Sequence, residues 1–136
     1  MENNSTPEER SLFAPMLYLK NVAAAMEFYK AAFDAQELRR WSNDDGSVHV
    51  AEMSLRNHLF HLHEEVSGKN ELCPETLKNA TTVVIGLFVQ DVDGLTEKAV
   101  TAGAALVNPP QDYDYGYRQA SITDPFGHHW EIQKAI

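Results

Sequence analysis

The chain repeats itself. Laid over its own sequence with an offset of about 70 and no gap, Asn21-Val22 falls on Asp91-Val92, Glu27 on Glu97, Ala32 on Ala102, Asp44 on Asp114, Gly46 on Gly116 and His58 on His128. In a chain of 136 residues such a period means one supersecondary unit used twice, neither copy able to bury its apolar face alone. The boundaries read as a flexible leader over 1–11, a first unit over 12–66, a polar linker over 67–80 and a second unit over 81–136.

Each half opens on an apolar run, APMLYLKNV or TVVIGLFVQDV, whose Leu, Val, Ile, Phe and Tyr content favours a strand. Asn21 or Asp91 then stands where a helix N-cap belongs, because its side chain can accept from the orphan amides of the first turn. AAAMEFYKAAF and DGLTEKAVTAG follow as helices, with Ala25, Phe28, Tyr29 and Ala32, and Leu95, Ala99 and Ala102, at helical spacing; Gly103 is a C-terminal cap candidate. Three extended segments complete each unit: QELRRWS, SVHVAEMSL and HLFHLHEE in the first, AALVNP, YRQASIT and HHWEIQK in the second. The expected fold is therefore α+β, two tandem βαβββ units forming a curved, cup-like mixed sheet.

Period-two alternation assigns faces. Phe60, Leu62, Trp130 and Ile132 belong under the helices, as do Trp41, Phe28 and Tyr29 by their own parity. That leaves His61, His63, His129, Glu131 and Gln133 facing the cup, with His61 and Glu131 in corresponding places. The first strands add Ala14, Met16 and Tyr18, and Val84, Gly86 and Phe88. Parity in the third strands adds Ser47, His49, Ala51 and Met53, and Tyr117, Gln119 and Ser121. Aromatic lining with a few convergent polar groups is the profile of a small-molecule pocket.

Composition narrows the partner. A net charge of −9 opposes binding to nucleic acid or an anionic membrane surface, so a small molecule is the expected partner. No apolar run approaches the roughly 18 residues of a membrane span, and MENNSTPEER lacks the order of a secretory signal, so the expected location is cytoplasmic. The single cysteine, Cys73, excludes an intramolecular disulfide framework and reads as incidental.

On APMLYLKNVAAAMEFYKAAFDA, VVIGLFVQDVDGLTEKAVTAGA and YGYRQASITDPFGHHWEI, the chain resembles the vicinal oxygen chelate superfamily of glyoxalases, bleomycin-resistance proteins and extradiol dioxygenases. Its DPFG and Trp ending is similar to the PhnB-like branch. The resemblance implies a glyoxalase/bleomycin-resistance-like protein, commonly a homodimer, and metal ligands on the first and last strand of each unit. Those positions are Ala14, His61, Val84 and Glu131 here. Ala14 and Val84 cannot ligate, so a divalent metal would need a displaced set: His61, His63 and Glu131.

Without metal, Glu131 is the candidate base of a lyase or isomerase step, with His61 stabilising the developing oxyanion. Tyr18, His49, Phe88, Tyr115, Tyr117, Arg118 and His129 are candidate ligand contacts. Arg118 either meets an anionic group beneath an aromatic lid of Tyr113, Tyr115 and Tyr117, or pairs with Asp112 or Asp114. The alternative function is a non-catalytic sequestering module in which Tyr18, Phe88, Tyr115 and Tyr117 stack a planar molecule.

Overall fold

A computed structural model describes residues 11–136; the expected leader over 1–11 lies, apart from Ser11, outside the described residues. The elements run β1 (Met16–Leu19), α1 (Val22–Phe33), β2 (Gln36–Ser42), β3 (Val48–Leu55), β4 (His58–Glu64), then β5 (Val84–Phe88), α2 (Val92–Ala102), β6 (Ala105–Tyr113), β7 (Tyr117–Thr123) and β8 (His129–Ala135). The strands form two four-stranded sheets in the orders β1-β4-β3-β2 and β5-β8-β7-β6. In each sheet the first strand lies parallel to the fourth and the other pairs are antiparallel. The tandem βαβββ reading holds.

The two helices start by the same chemistry. Asn21 Oδ1 accepts from Ala24 N at 3.0 Å, and Asp91 Oδ1 accepts from Gly94 N at 2.9 Å. They end differently. Gly103 closes α2 at φ 125°, whereas Asp34 closes α1 in the left-handed region at φ 59°. Both helices pack on their own sheets and on each other, and one apolar cluster runs through both halves. Its seam is aromatic: Phe33 meets Trp130 at 4.8 Å, Tyr29 meets Trp130 at 5.6 Å, and Phe28 meets Phe126 edge-on at 6.1 Å. Each such side chain, fully buried, contributes about 1.5–3 kcal/mol, so this seam fastens the halves together.

Asp124 ties the seam to the last turn. Its Oδ2 accepts from the Tyr29 hydroxyl and, at 3.0 Å, from Trp130 Nε1; its Oδ1 accepts from the amides of Phe126 and His128, both at 3.0 Å. Burial and the neighbouring carboxylate push the Tyr29 phenol well above its ordinary value, so it stays a donor. Gly127 is required here: its φ is +95°, and a Cβ would stand 2.7 Å from Pro74 of the linker. His128, in the turn before β8, donates from Nε2 to the Tyr18 carbonyl at 2.9 Å.

One expectation is overturned by the sheet register. Ala51 and Met53 do not line the open face. They pair with Leu62 and Phe60 and are fully buried beneath the helix, while Glu52 pairs with His61 and Val50 with His63. The cause is turn length. First and fourth strands correspond at an offset of 70, since Met16 pairs with His61 as Gly86 does with Glu131. The third strands correspond at 69, since Glu52 pairs with His61 as Ser121 does with Glu131. The β7–β8 turn holds one more residue than the offset allows, and a slip of one residue exchanges the faces of a strand.

Other assignments change with the local geometry. Ser47 lies in the turn before β3, donating to Asp45 Oδ1. His49, opposite Glu64 near the start of β3, has its Nδ1 3.1 Å from Glu64 Oε1. Trp41 is no core residue: it is exposed, with the Arg39 guanidinium 4.7 Å over its ring. QDYDYGYRQ is not a long lid but a hairpin tip, because β6 continues through Pro109 and Pro110 to Tyr113. Prolines are tolerated there because β6 is an edge strand whose register shifts around them.

Candidate functional site

The candidate site lies on the sheet faces turned away from the helices, where register lays side chains out in rows. On the first sheet one row runs Arg39, Glu52, His61, Met16 across β2, β3, β4 and β1. The next runs Trp41, Val50, His63, Tyr18. On the second sheet the corresponding rows are Asn108, Ser121, Glu131, Gly86, and Gln111, Gln119, Gln133, Phe88.

The first sheet's rows are bonded end to end. Arg39 Nε donates to Glu52 Oε1 at 2.7 Å, and Glu52 Oε2 stands 3.0 Å from His61 Nε2. His61 Nδ1 lies 3.3 Å from His63 Nε2, and Tyr18 stacks on His63 with ring centroids 5.2 Å apart. The Tyr18 hydroxyl donates to Glu71. Glu52 is only 4% exposed, a carboxylate covered on an otherwise accessible face because Arg39 lies over it. Burial, with help from His61 and His49 and against Glu71, holds the His63 imidazole below its ordinary value. Beside this chain is a cavity of about 150 Å³ lined by Tyr18, His49, His63, Glu64, Lys69 and Glu71 among others.

The second sheet is built differently. Glu131 is half-buried at the centre of β8, opposite Ser121 and beside Gly86, and its carboxylate makes no hydrogen bond or ion pair among the described residues. Gln119 Nε2 donates to Gln133 Oε1 at 2.6 Å, and Thr123 Oγ1 lies 2.9 Å from His129 Nδ1. Along the same face runs an aromatic file: Phe88 meets Tyr117 at 6.2 Å, Tyr117 meets Tyr115 at 6.4 Å, and Tyr115 stacks on Tyr113 at 5.3 Å. Phe88 and Tyr115 are 61% and 62% exposed, and Tyr115 donates to Gln119.

Arg118 takes the second of its two expected arrangements, pairing with Asp112, and adds Asp93. It sits on the helix side of β7, where Nε and Nη2 each reach an Asp93 carboxylate oxygen at 2.8 Å and Nη1 reaches Asp112 at 2.9 Å. These partners hold the guanidinium firmly charged and keep the Asp93 carboxyl below its usual range. An arginine held from three sides by two aspartates is not offered to a ligand.

The displaced metal set is not brought together among the described residues. Among the described residues no group of three or more His, Cys, Asp or Glu is placed to hold a metal ion. Ala14 and Val84 supply no donor atom, both nitrogens of His61 already face Glu52 and His63, and Glu131 belongs to the other sheet. Among the described residues of one chain the donor set does not fit a metal. Sequence reasoning also passed over Glu52, which carries the first sheet's polar chain. Counting turn residues, two in Arg56-Asn57 against Pro125-Phe126-Gly127, would have restored its parity.

Among the described residues no helix is long and apolar enough to cross a membrane. The model of the Glyoxalase/Bleomycin resistance protein/Dioxygenase superfamily matches residues 12–132. An uncharacterized protein of Mycobacterium bovis is 35% identical over 126 residues, 90% of this chain and 82% of that protein. TioX from Micromonospora sp. ML1 superposes with a TM-score of 0.72 at 21% identity, covering 93% of this chain and 100% of that one. The fosfomycin resistance protein FosX from Listeria monocytogenes superposes with a TM-score of 0.70 at 18% identity, covering 93% and 94%.

Proposed function

The chain belongs to the glyoxalase/bleomycin resistance protein/dioxygenase superfamily, and from that premise we propose that it binds a small molecule on its open sheet faces, with Glu131 as the base of a lyase or isomerase step. The observation that carries this reading is the contrast between equivalent positions. His61 is held by neighbours on both sides, whereas Glu131 makes no hydrogen bond or ion pair among the described residues and stands near Tyr115, between the apolar edge strand β5 and the polar Ser121. A carboxylate without a partner beside apolar surface is poised to take a proton from a carbon or hydroxyl acid.

Sequestration without chemistry is the second reading, and the aromatic file from Phe88 to Tyr113 favours it. Accessible rings in series can stack a planar molecule whose bonds stay intact. The Glu131→Gln variant separates the two. Against a panel of glyoxalase-type substrates, turnover lost with ligand affinity kept supports the base. Affinity lost in a protein that never shows turnover supports sequestration.

A homodimer belongs to the same proposal. β1 and β5 are sheet edges, and Met16, Val84 and Phe88 expose apolar surface along them. An uncovered apolar edge invites pairing, and a second copy is the partner always at hand. Sedimentation equilibrium tests it: a species of twice the chain mass is expected, and a monomer throughout the micromolar range overturns it.

A further inference from the structure

The polar chain on the first sheet fixes the direction of its own hydrogen bonds, and that direction ends in a cavity. An ionised carboxylate only accepts, so Glu52 Oε2, 3.0 Å from His61 Nε2, requires the proton on that nitrogen; two lone pairs at such a distance would repel. In neutral His61 the other nitrogen, Nδ1, is then an acceptor. The atom facing it at 3.3 Å, His63 Nε2, must therefore carry the hydrogen. A neutral His63 with its proton on Nε2 is left with a bare lone pair on Nδ1. That nitrogen has no hydrogen-bond partner among the described residues, and His63 lines the 150 Å³ cavity.

From this geometry we infer that His63 Nδ1 is the proton-accepting atom of the first sheet's open face, with His61 and Glu52 as its positioning residues, for a small uncharged molecule carrying an O–H or N–H donor. The inference rests on the reading that a small molecule binds on the open sheet faces, but not on Glu131 being a base. The ligand's charge follows from the lining. Glu64 and Glu71 face the cavity against the single ammonium of Lys69, while His49 and Tyr18 are both turned to those carboxylates at 3.1 Å and closer, so an anion is disfavoured.

Nitrogen-15 NMR of the full-length protein tests this through the tautomers. Near pH 8, His61 and His63 are both expected to carry hydrogen on Nε2, with His63 Nδ1 showing the shift of an unprotonated nitrogen. Titrated with acetamide, His63 Nδ1 moves saturably; titrated with acetate, which has nearly the same shape but no donor and a negative charge, it does not. In Glu52→Gln the obligate acceptor is gone, and both rings become tautomer mixtures. A His63 with its hydrogen on Nδ1 in the wild type overturns the inference without any variant being needed. So do tautomers unchanged in a folded Glu52→Gln protein, or a response to acetate in place of acetamide.

Discussion

The two halves share a backbone and differ in what they do with the same row of positions. On the first sheet Arg39, Glu52, His61 and His63 lock one another, and His63 Nδ1 is left without a hydrogen bond among the described residues. On the second, Ser121 takes the place of Glu52, Glu131 the place of His61 and Gln133 the place of His63; the carboxylate makes no hydrogen bond or ion pair among the described residues, and the amides bond each other. Duplication supplied the scaffold twice. Chemistry diverged where a short hydroxyl replaced a carboxylate that would otherwise have filled its neighbour's hydrogen-bonding capacity.

The turns that set those rows apart offer the largest test. Asp124 satisfies four buried or half-buried donors, and replacing it with Ala orphans them together at a cost of about 3–5 kcal/mol. The first half's turn has no such anchor; it relies on Arg56 and Asn57 in left-handed conformations at φ 51° and 66°. Asn57→Ala should cost only about 1 kcal/mol, the penalty of placing an ordinary side chain in that region. Urea denaturation of the two variants checks the ranking, and equal losses would mean that both turns are held by backbone alone.

That asymmetry is also where the sequence misleads. The repeat, both N-caps, Gly103 and the placement of His61 and Glu131 on open faces are legible because helical and strand periods act locally. The face of β3 is not. Val48 and Val50 are apolar at one parity, and Ala51, Met53 and Leu55 at the other, so the pattern changes phase within one strand and parity alone picks the wrong face. Arg118 misleads for a related reason. Its partner Asp93 comes from the first turn of α2, 25 residues upstream, which no spacing within QDYDYGYRQ reveals.

The rows give the next tests. Glu52→Ala leaves Arg39 and His61 facing an absence on a covered patch, and about 1–3 kcal/mol of stability should go with it. Ser121→Ala, its counterpart, should fall within about 0.5 kcal/mol of the parent. If the two variants are equally stable by thermal unfolding, the first sheet's chain contributes nothing that the second lacks. Smaller again is Glu131→Gln. A carboxylate with no partner has little native-state energy to lose, so its stability should stay within about 0.5 kcal/mol of the wild type while any base-dependent turnover disappears.

The smallest effect distinguishes the halves by pH. Burial, then the neighbouring His61, lowers the folded-state affinity of His63 for a proton, while the unfolded chain titrates this residue near its ordinary value of about 6.5. As pH falls below that value, the unfolded state takes up a proton that the folded state resists. Stability therefore declines over this window, and the decline levels off only when folded His63 is protonated as well. Above about pH 6.5 both states hold a neutral imidazole and the residue adds no slope. Gln133, in the corresponding place on the second sheet, cannot titrate at all. His63→Gln makes the first sheet copy the second at this position, and denaturation midpoints measured between pH 5 and 8 should lose part of their acid-side slope. A variant whose slope matches the wild type would show that the ring is as free to protonate in the folded protein as in the unfolded chain, and the polar chain would then have no hold on its charge.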